Sequence, residues 1–429
     1  MPNFTADLII EARWIVPMTQ PDILLENHAI AVGNGRILEL LPQAQAKSRY
    51  AQTPSVQRPN HLMLPGLVNA HTRTGMSLLR GLPGPLAALE QRFVSADFVG
   101  DAVLLSIAEM LLAGVTCFSD AYLFPNETAK AAAEQGIRAC VGLPVCDVPT
   151  SWARSAGEYI SKALSVRDEY KGHPMVTTRF APRAVHTIGD ETLIQVRTLA
   201  DELDAGISVS LHASTDSVRT AHERFGVRPL ERMDRLGLLT PALNAVHMAQ
   251  VTAAEIDLAR RSGISVTLCP EADLRRGHGA PPVAAWVKSG TTLSLGSGAA
   301  AAGADHDVWS EARLAALLSR PQADHPPSLA PWDALELATR GGAAALGLGD
   351  QIGTLATGKW ADICCVDLDH PALQPSSDPA ALLLFCGGRD RVCDVWIAGR
   401  HLVSESRLTR LDWPAVSGRA QAWAQRLKC

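Results

Sequence analysis

His61-Leu62-Met63-Leu64-Pro65-Gly66-Leu67-Val68-Asn69-Ala70-His71-Thr72-Arg73 is an apolar run closed by three polar residues. That is the pattern of a strand buried on both faces, with its last side chains emerging at one end of a sheet. Seven further runs of this kind follow, at Val115–Ala121, Ala139–Val145, Val176–Ala184, Ile207–Ser214, Leu243–Ala249, Ser265–Glu271 and Thr292–Gly298. Most lead into an amphipathic segment such as Asp190–Ala205 or Thr252–Ser262. Strand alternating with helix argues for parallel βαβ units, and eight such units argue for a closed (β/α)8 barrel of TIM type in the α/β class.

The ends of the chain read differently. Ala6–Ile10, His28–Val32 and Arg36–Leu40 alternate like antiparallel strands around the turn Gly33-Asn34-Gly35. Gly353-Thr354-Leu355, Ala361–Asp367 and Arg391–Gly399 repeat the style. Residues 1–60 and 350–429 are therefore expected to form one composite β-sandwich beside a barrel of residues 61–349. The Pro-rich stretch Pro321–Pro331 reads as a loop before a helix over Trp332–Leu346.

Composition excludes several classes. With 429 residues, 47% of them apolar and 19% charged, the chain can bury large cores and is not a disordered segment. A net charge of −5 without long like-charge runs argues against nucleic acid as a partner. The N-terminus has no basic start followed by an apolar block, and the uncharged stretch Ser289–Ala304 is rich in Gly, Ala, Ser and Thr. A soluble cytoplasmic protein is expected, with neither a signal peptide nor a membrane span. Nine cysteines without metal-finger spacing read as free, mostly buried thiols, with Cys364 and Cys365 on opposite faces of one strand.

Chemistry in such a barrel sits at the C-terminal strand ends. There the sequence places His71, Thr72 and Arg73 on strand 1, Arg183 on strand 4, His212 on strand 5, His247 on strand 6, and Ser297 and Gly298 on strand 8. Three histidines at one mouth suit a metal as well as a structural role, although each alone reads more often as a satisfied core histidine.

Leu64-Pro65-Gly66-Leu67-Val68-Asn69-Ala70-His71 followed by Met76-Ser77-Leu78-Leu79-Arg80-Gly81 resembles the first-strand signature of the amidohydrolase superfamily. The branch it resembles holds methylthioadenosine/adenosylhomocysteine deaminases and triazine hydrolases. Val115–Asp120, Ala245–Gln250, Cys269-Pro270-Glu271 and Gly353–Ala361 continue the resemblance in family order. It implies a zinc-dependent hydrolase of non-peptide C–N bonds on that fold. It also implies a homo-oligomer, since relatives of this kind are dimers or larger.

Carried over position by position, the family's metal and catalytic set is half present. The His-x-His pair is His71 with Arg73, and the strand-5 ligand is His212. The proton-shuttling Glu is replaced by Thr215, the strand-6 catalytic histidine is retained as His247, and the strand-8 Asp is replaced by Gly298. Substrate-binding positions hold Arg183 for a family His and Ala272-Asp273 for a Ser-Asn pair, with Glu271 left as a possible substrate contact. The segment between Gly81 and Phe93 reads as shortened, where relatives carry a loop over the nucleoside.

Both carboxylates are gone and a guanidinium has arrived. A divalent cation ~5 Å from Arg73 would meet repulsion on the order of 6 kcal/mol at an effective dielectric of about 20. Two ligands fall short of the three that zinc hydrolases use, and loss of the general acid/base alone typically slows a reaction roughly 10²- to 10⁴-fold. The expectation is a degenerate deaminase, with no metal or a weakly bound divalent one, holding an anionic or nucleoside-like small molecule. The alternative is an active deaminase of a heterocyclic amine whose metal site is rebuilt with Asp273 and His278. Whether Arg275 and Arg276 face the mouth or solvent is left open.

Overall fold

The structure is a computed structural model that describes residues 5–82, 86–183, 185–302, 305–320, 329–375 and 377–428. Part of the expected 321–331 loop, part of the segment after Gly81 and the end of the Ala299–Ala304 run fall outside these residues.

Two eight-stranded sheets organise the molecule. The outer one takes β1 (Leu8–Ile15), β2 (Leu25–Gly33), β3 (Arg36–Pro42) and β4 (Ser55–Pro65) from the N-terminal side. The barrel follows with β5 (Leu67–Thr72), β6 (Val115–Asp120), β7 (Arg138–Val145), β8 (Val176–Pro182), β9 (Ile207–Leu211), β10 (Leu243–His247), β11 (Ser265–Leu268) and β12 (Thr292–Leu295). The outer sheet is completed by β13 (Ile363–Asp367), β14 (Val392–Ile397), β15 (Arg400–Ser404) and β16 (Arg407–Leu408), in the order β16-β15-β14-β13-β4-β1-β2-β3.

The eight expected barrel strands are all present, parallel and in sequence order. The ring closes through a bridge between Thr72 and Gly298, with Gly298 N–H donating to His71 O (3.0 Å) and Arg73 N–H to Gly298 O (3.1 Å). The run that opened the sequence reading is two strands, not one. Residues 61–65 pair with β1 and β13 in the outer sheet, so the boundary expected at residue 61 falls instead at Gly66. A Cβ on Gly66 would stand 2.1 Å from the Thr116 side chain, and only glycine lets the chain pass from one sheet to the other there. The expected helix over Trp332–Leu346 is α-helical at Pro331–Glu336, widens into a π turn at Leu337–Gly341 and resumes at Gly342–Ala345.

Alternation along the outer strands sorts side chains between two cores. Leu62, Leu64, Cys364, Val366 and Val395 join the large core shared with the barrel, whereas Met63, Ile363, Cys365, Cys393 and Trp396 join the outer sheet's own core. The adjacent cysteines do alternate faces. Where the two sheets meet at the floor of the barrel, Arg138 at the start of β7 donates to both carboxylate oxygens of Asp362 (2.9 and 3.2 Å) and to Pro174 O (2.9 Å). Both side chains of this pair are at most 3% exposed. Among the described residues no helix is long and apolar enough to cross a membrane.

Candidate functional site

The strand ends bring His71, Arg73, Arg183 and His247 to one mouth. His71, the penultimate residue of β5, is 2% exposed, and neither ring nitrogen has a hydrogen-bond partner among the described residues. Burial, then His247, Arg73 and Arg276, hold its pKa well below the ordinary value, so the ring is neutral. Its ring meets that of His247 edge-on with centroids 5.8 Å apart.

Arg73 opens the turn after β5 and makes no ion pair or hydrogen bond with any described side chain. Burial and the neighbouring Arg183 and Arg276 push its pKa down to about 10, while Glu90 and Tyr122 act in the opposite direction. Arg183 pairs with Glu90 (3.0 Å), and its Nη1 is buried without a partner among the described residues. The Tyr122 hydroxyl donates to the same carboxylate (2.7 Å). Arg73 and Arg183 therefore both feel the Glu90 carboxylate.

Glu90 and Tyr122 were not singled out in the sequence. Tyr122 lies two residues past the end of β6 and was legible from that position. Glu90 sits on the helix Leu86–Phe93, inside the segment expected only to be shortened, and carries no motif. The open question over Arg275 and Arg276 divides: Arg275 is exposed and pairs with Glu271 (3.1 Å), whereas Arg276 is half-buried and felt by both His71 and Arg73. A groove of about 550 Å³ beside Arg183 and Glu90, lined also by Leu123, Cys146 and Thr150, leads to this cluster.

Other expected site residues lie elsewhere. The His212 ring is held by the protein on both sides: Nε2 accepts from Leu230 N–H (3.0 Å) and Nδ1 contacts Gln250 O (3.2 Å). Glu255 stands 3.3 Å from Nε2, yet burial dominates and lowers the pKa to about 4. Both ring nitrogens of His212 are thus engaged by the protein. Thr215 is exposed in the first turn of a helix whose N-cap is Ser214, and its hydroxyl donates to the Gln250 side chain (3.3 Å), on the rim rather than in the mouth.

Asp273 is fully buried. Its Oδ1 lies 2.9 Å from His247 Nδ1 and 3.4 Å from His278 Nδ1, while its Oδ2 is buried with no hydrogen-bond partner among the described residues. The His247 contact has ion-pair distance without the alignment of a good hydrogen bond. Glu271 is tied to Arg275 as described above. Gly298 has φ +67°, and its backbone is engaged in barrel closure, with a Cβ there standing 3.0 Å from that of Ala272.

These residues do not fit a zinc centre. Among the described residues, no three His, Cys, Asp or Glu side chains at the mouth bring ligand atoms within 4.8 Å of one another, and the surrounding charge is cationic.

The sequence profile of the Amidohydrolase family matches residues 62–402. The chain is 35% identical to the 5-methylthioadenosine/S-adenosylhomocysteine deaminase of Teredinibacter turnerae over 99% of this chain and 98% of that one. A crystal structure of an adenosine deaminase from Xanthomonas campestris with bound zinc matches it with a TM-score of 0.97 and 39% identity, over all of both chains. The zinc complex of atrazine chlorohydrolase from Arthrobacter aurescens shares the fold, with a TM-score of 0.90 at 22% identity over 97% of this chain and 100% of that one. The chain belongs to the amidohydrolase family.

Proposed function

We propose that this chain is a deaminase-type amidohydrolase that has exchanged zinc-dependent hydrolysis for the binding of a small anionic molecule at its barrel mouth. The observation that carries the reading is Arg73, an unpaired and largely desolvated cation at the second position of the His-x-His pair. A carboxylate or phosphate there would accept from Arg73 and from the unpartnered Arg183 Nη1. His71 stands beside them as a neutral donor or acceptor. Charge-assisted hydrogen bonds of this kind contribute about 1.5–3 kcal/mol each.

The test has two arms on the full chain. After incubation with zinc, adenosine-type nucleosides are expected to release no ammonia above background. In calorimetric titration, nucleoside monophosphates or small dicarboxylates are expected to bind more tightly than the uncharged nucleosides. Arg73→Met should weaken that binding roughly ten- to a hundredfold. Zinc-dependent ammonia release at an ordinary enzymatic rate would overturn the reading, as would indifference of binding to ligand charge.

The contact of Asp273 Oδ1 with both His247 and His278 favours a second reading, an active deaminase with a rebuilt metal site. On that reading, His247→Ala removes metal and ammonia release together.

A further inference from the structure

The chemistry that zinc favours lies in the other sheet. Between β13 and β14 the pairing runs Cys365 with Asp394 and then Val366 with Val392, leaving Cys393 as the extra residue of a β-bulge. A bulge opposes two residues to one and re-aims side chains. Here Cys393 and Cys365 both enter the outer sheet's own core. The ligand atoms of Cys365, Cys393 and Asp394 all lie within 4.8 Å of one another. His61 of β4 stands two residues before Met63, the register partner of Cys365, and so shares its face. Its Nδ1 is buried and has no hydrogen-bond partner among the described residues.

We infer that Cys365, Cys393 and His61, completed by Asp394 Oδ2, form a binding site for a soft divalent cation of the zinc type. Two sulfurs, one imidazole nitrogen and one carboxylate oxygen are a donor set that tetrahedral zinc accepts. Sulfurs around such an ion stand about 3.8 Å apart, so the two thiols close by about 1 Å at most, while His61, outside the 4.8 Å group, moves in to join them. Asp394 Oδ1 already accepts from Arg58, His401 and the Glu405 N–H, but Oδ2 accepts only from Arg58 Nε (2.7 Å) and keeps a lone pair free.

Charge separates this group from the barrel mouth. Asp394 and Arg58 already neutralise each other, and the cation replaces two thiol protons, which leave to solvent, so that two thiolates balance it. His61 and His401 are half-exposed, so an ion reaches the group past a single layer of side chains.

The inference does not rest on the reading of the mouth, and the two fail separately. The full chain is purified under reductant, stripped with chelator and titrated with Co2+ as the probe. The expected result is one cobalt per chain with thiolate-to-cobalt charge-transfer absorption, displaced by Zn2+ and unchanged in His71→Ala. Cys393→Ser should abolish the absorption and weaken binding by more than about a hundredfold, a larger loss than for residues that only orient ligands. Cys365 is fully buried, so His61→Gln serves as the second variant and should weaken binding without removing the sulfur signature. Absence of thiolate absorption in the wild-type chain would overturn the proposal. So would its survival in Cys393→Ser, or a Cys365–Cys393 disulfide in the reduced preparation.

Discussion

The two ends of the barrel treat an arginine drawn in from solvent in opposite ways. At the floor, Arg138 lies against both oxygens of Asp362 and a backbone carbonyl, closing a junction between sheets. At the mouth, Arg73 has three cationic or imidazole neighbours and only a shared, more distant carboxylate in Glu90. Satisfied charge at the bottom reads as stability, and unsatisfied charge at the top reads as a place for a ligand. The contrast teaches that burial alone does not say what a charged residue is for, whereas the list of its partners does.

The largest effect belongs to the floor. Asp362→Ala leaves Arg138 buried and uncompensated and is expected to destabilise the fold by about 3–5 kcal/mol in urea unfolding. A loss below about 1 kcal/mol would mean that the pair is not the clamp described here.

Next comes His212, whose ring is held by the protein on both sides. Burial holds its folded pKa at about 4, below the 6.5 of an ordinary histidine, so the unfolded chain takes up the proton first as pH falls. Its contribution is fully present above about pH 6.5 and is lost on the way down to pH 4, by on the order of 3 kcal/mol. His306, buried among Ser77, Ser106 and Ser297, is lowered to about 4 as well and adds a loss of the same sign. Urea unfolding across this range, compared with His212→Gln, measures the difference in slope; equal slopes would leave His212 among the candidate metal ligands.

The smallest expected effect is a gain. Arg73→Met removes an unpaired desolvated charge and should raise stability by roughly 1 kcal/mol, while added anion should raise the melting temperature of the wild type but not of the variant. A destabilised variant would show that Arg73 is held by the protein after all.

Much of this was legible in the sequence. Eight apolar runs between amphipathic segments define the barrel, because each strand must be buried on both faces. The reading of Arg73, Thr215 and Gly298 as replacements came from the family resemblance, carried over position by position. The break at Gly66 was not, since a continuous apolar run carries no mark of which sheet each half joins. The role of His212 escaped for a similar reason: its partners Leu230, Gln250 and Glu255 come from later segments, and a residue type does not announce whether its nitrogens are free. Glu90 had no local pattern, and the Cys365–Cys393 group depends on a bulge that only pairing reveals.

The order of strands in the outer sheet also bears on how the chain is made. β4 leaves the ribosome early, yet its partner β13 begins at Ile363, after the whole barrel. At about 5–20 residues per second, a strand finished at residue 65 waits roughly 15–60 seconds for its neighbour. During that interval the edge of β4 is open to pairing with another nascent chain, a hazard that cotranslational chaperones exist to cover.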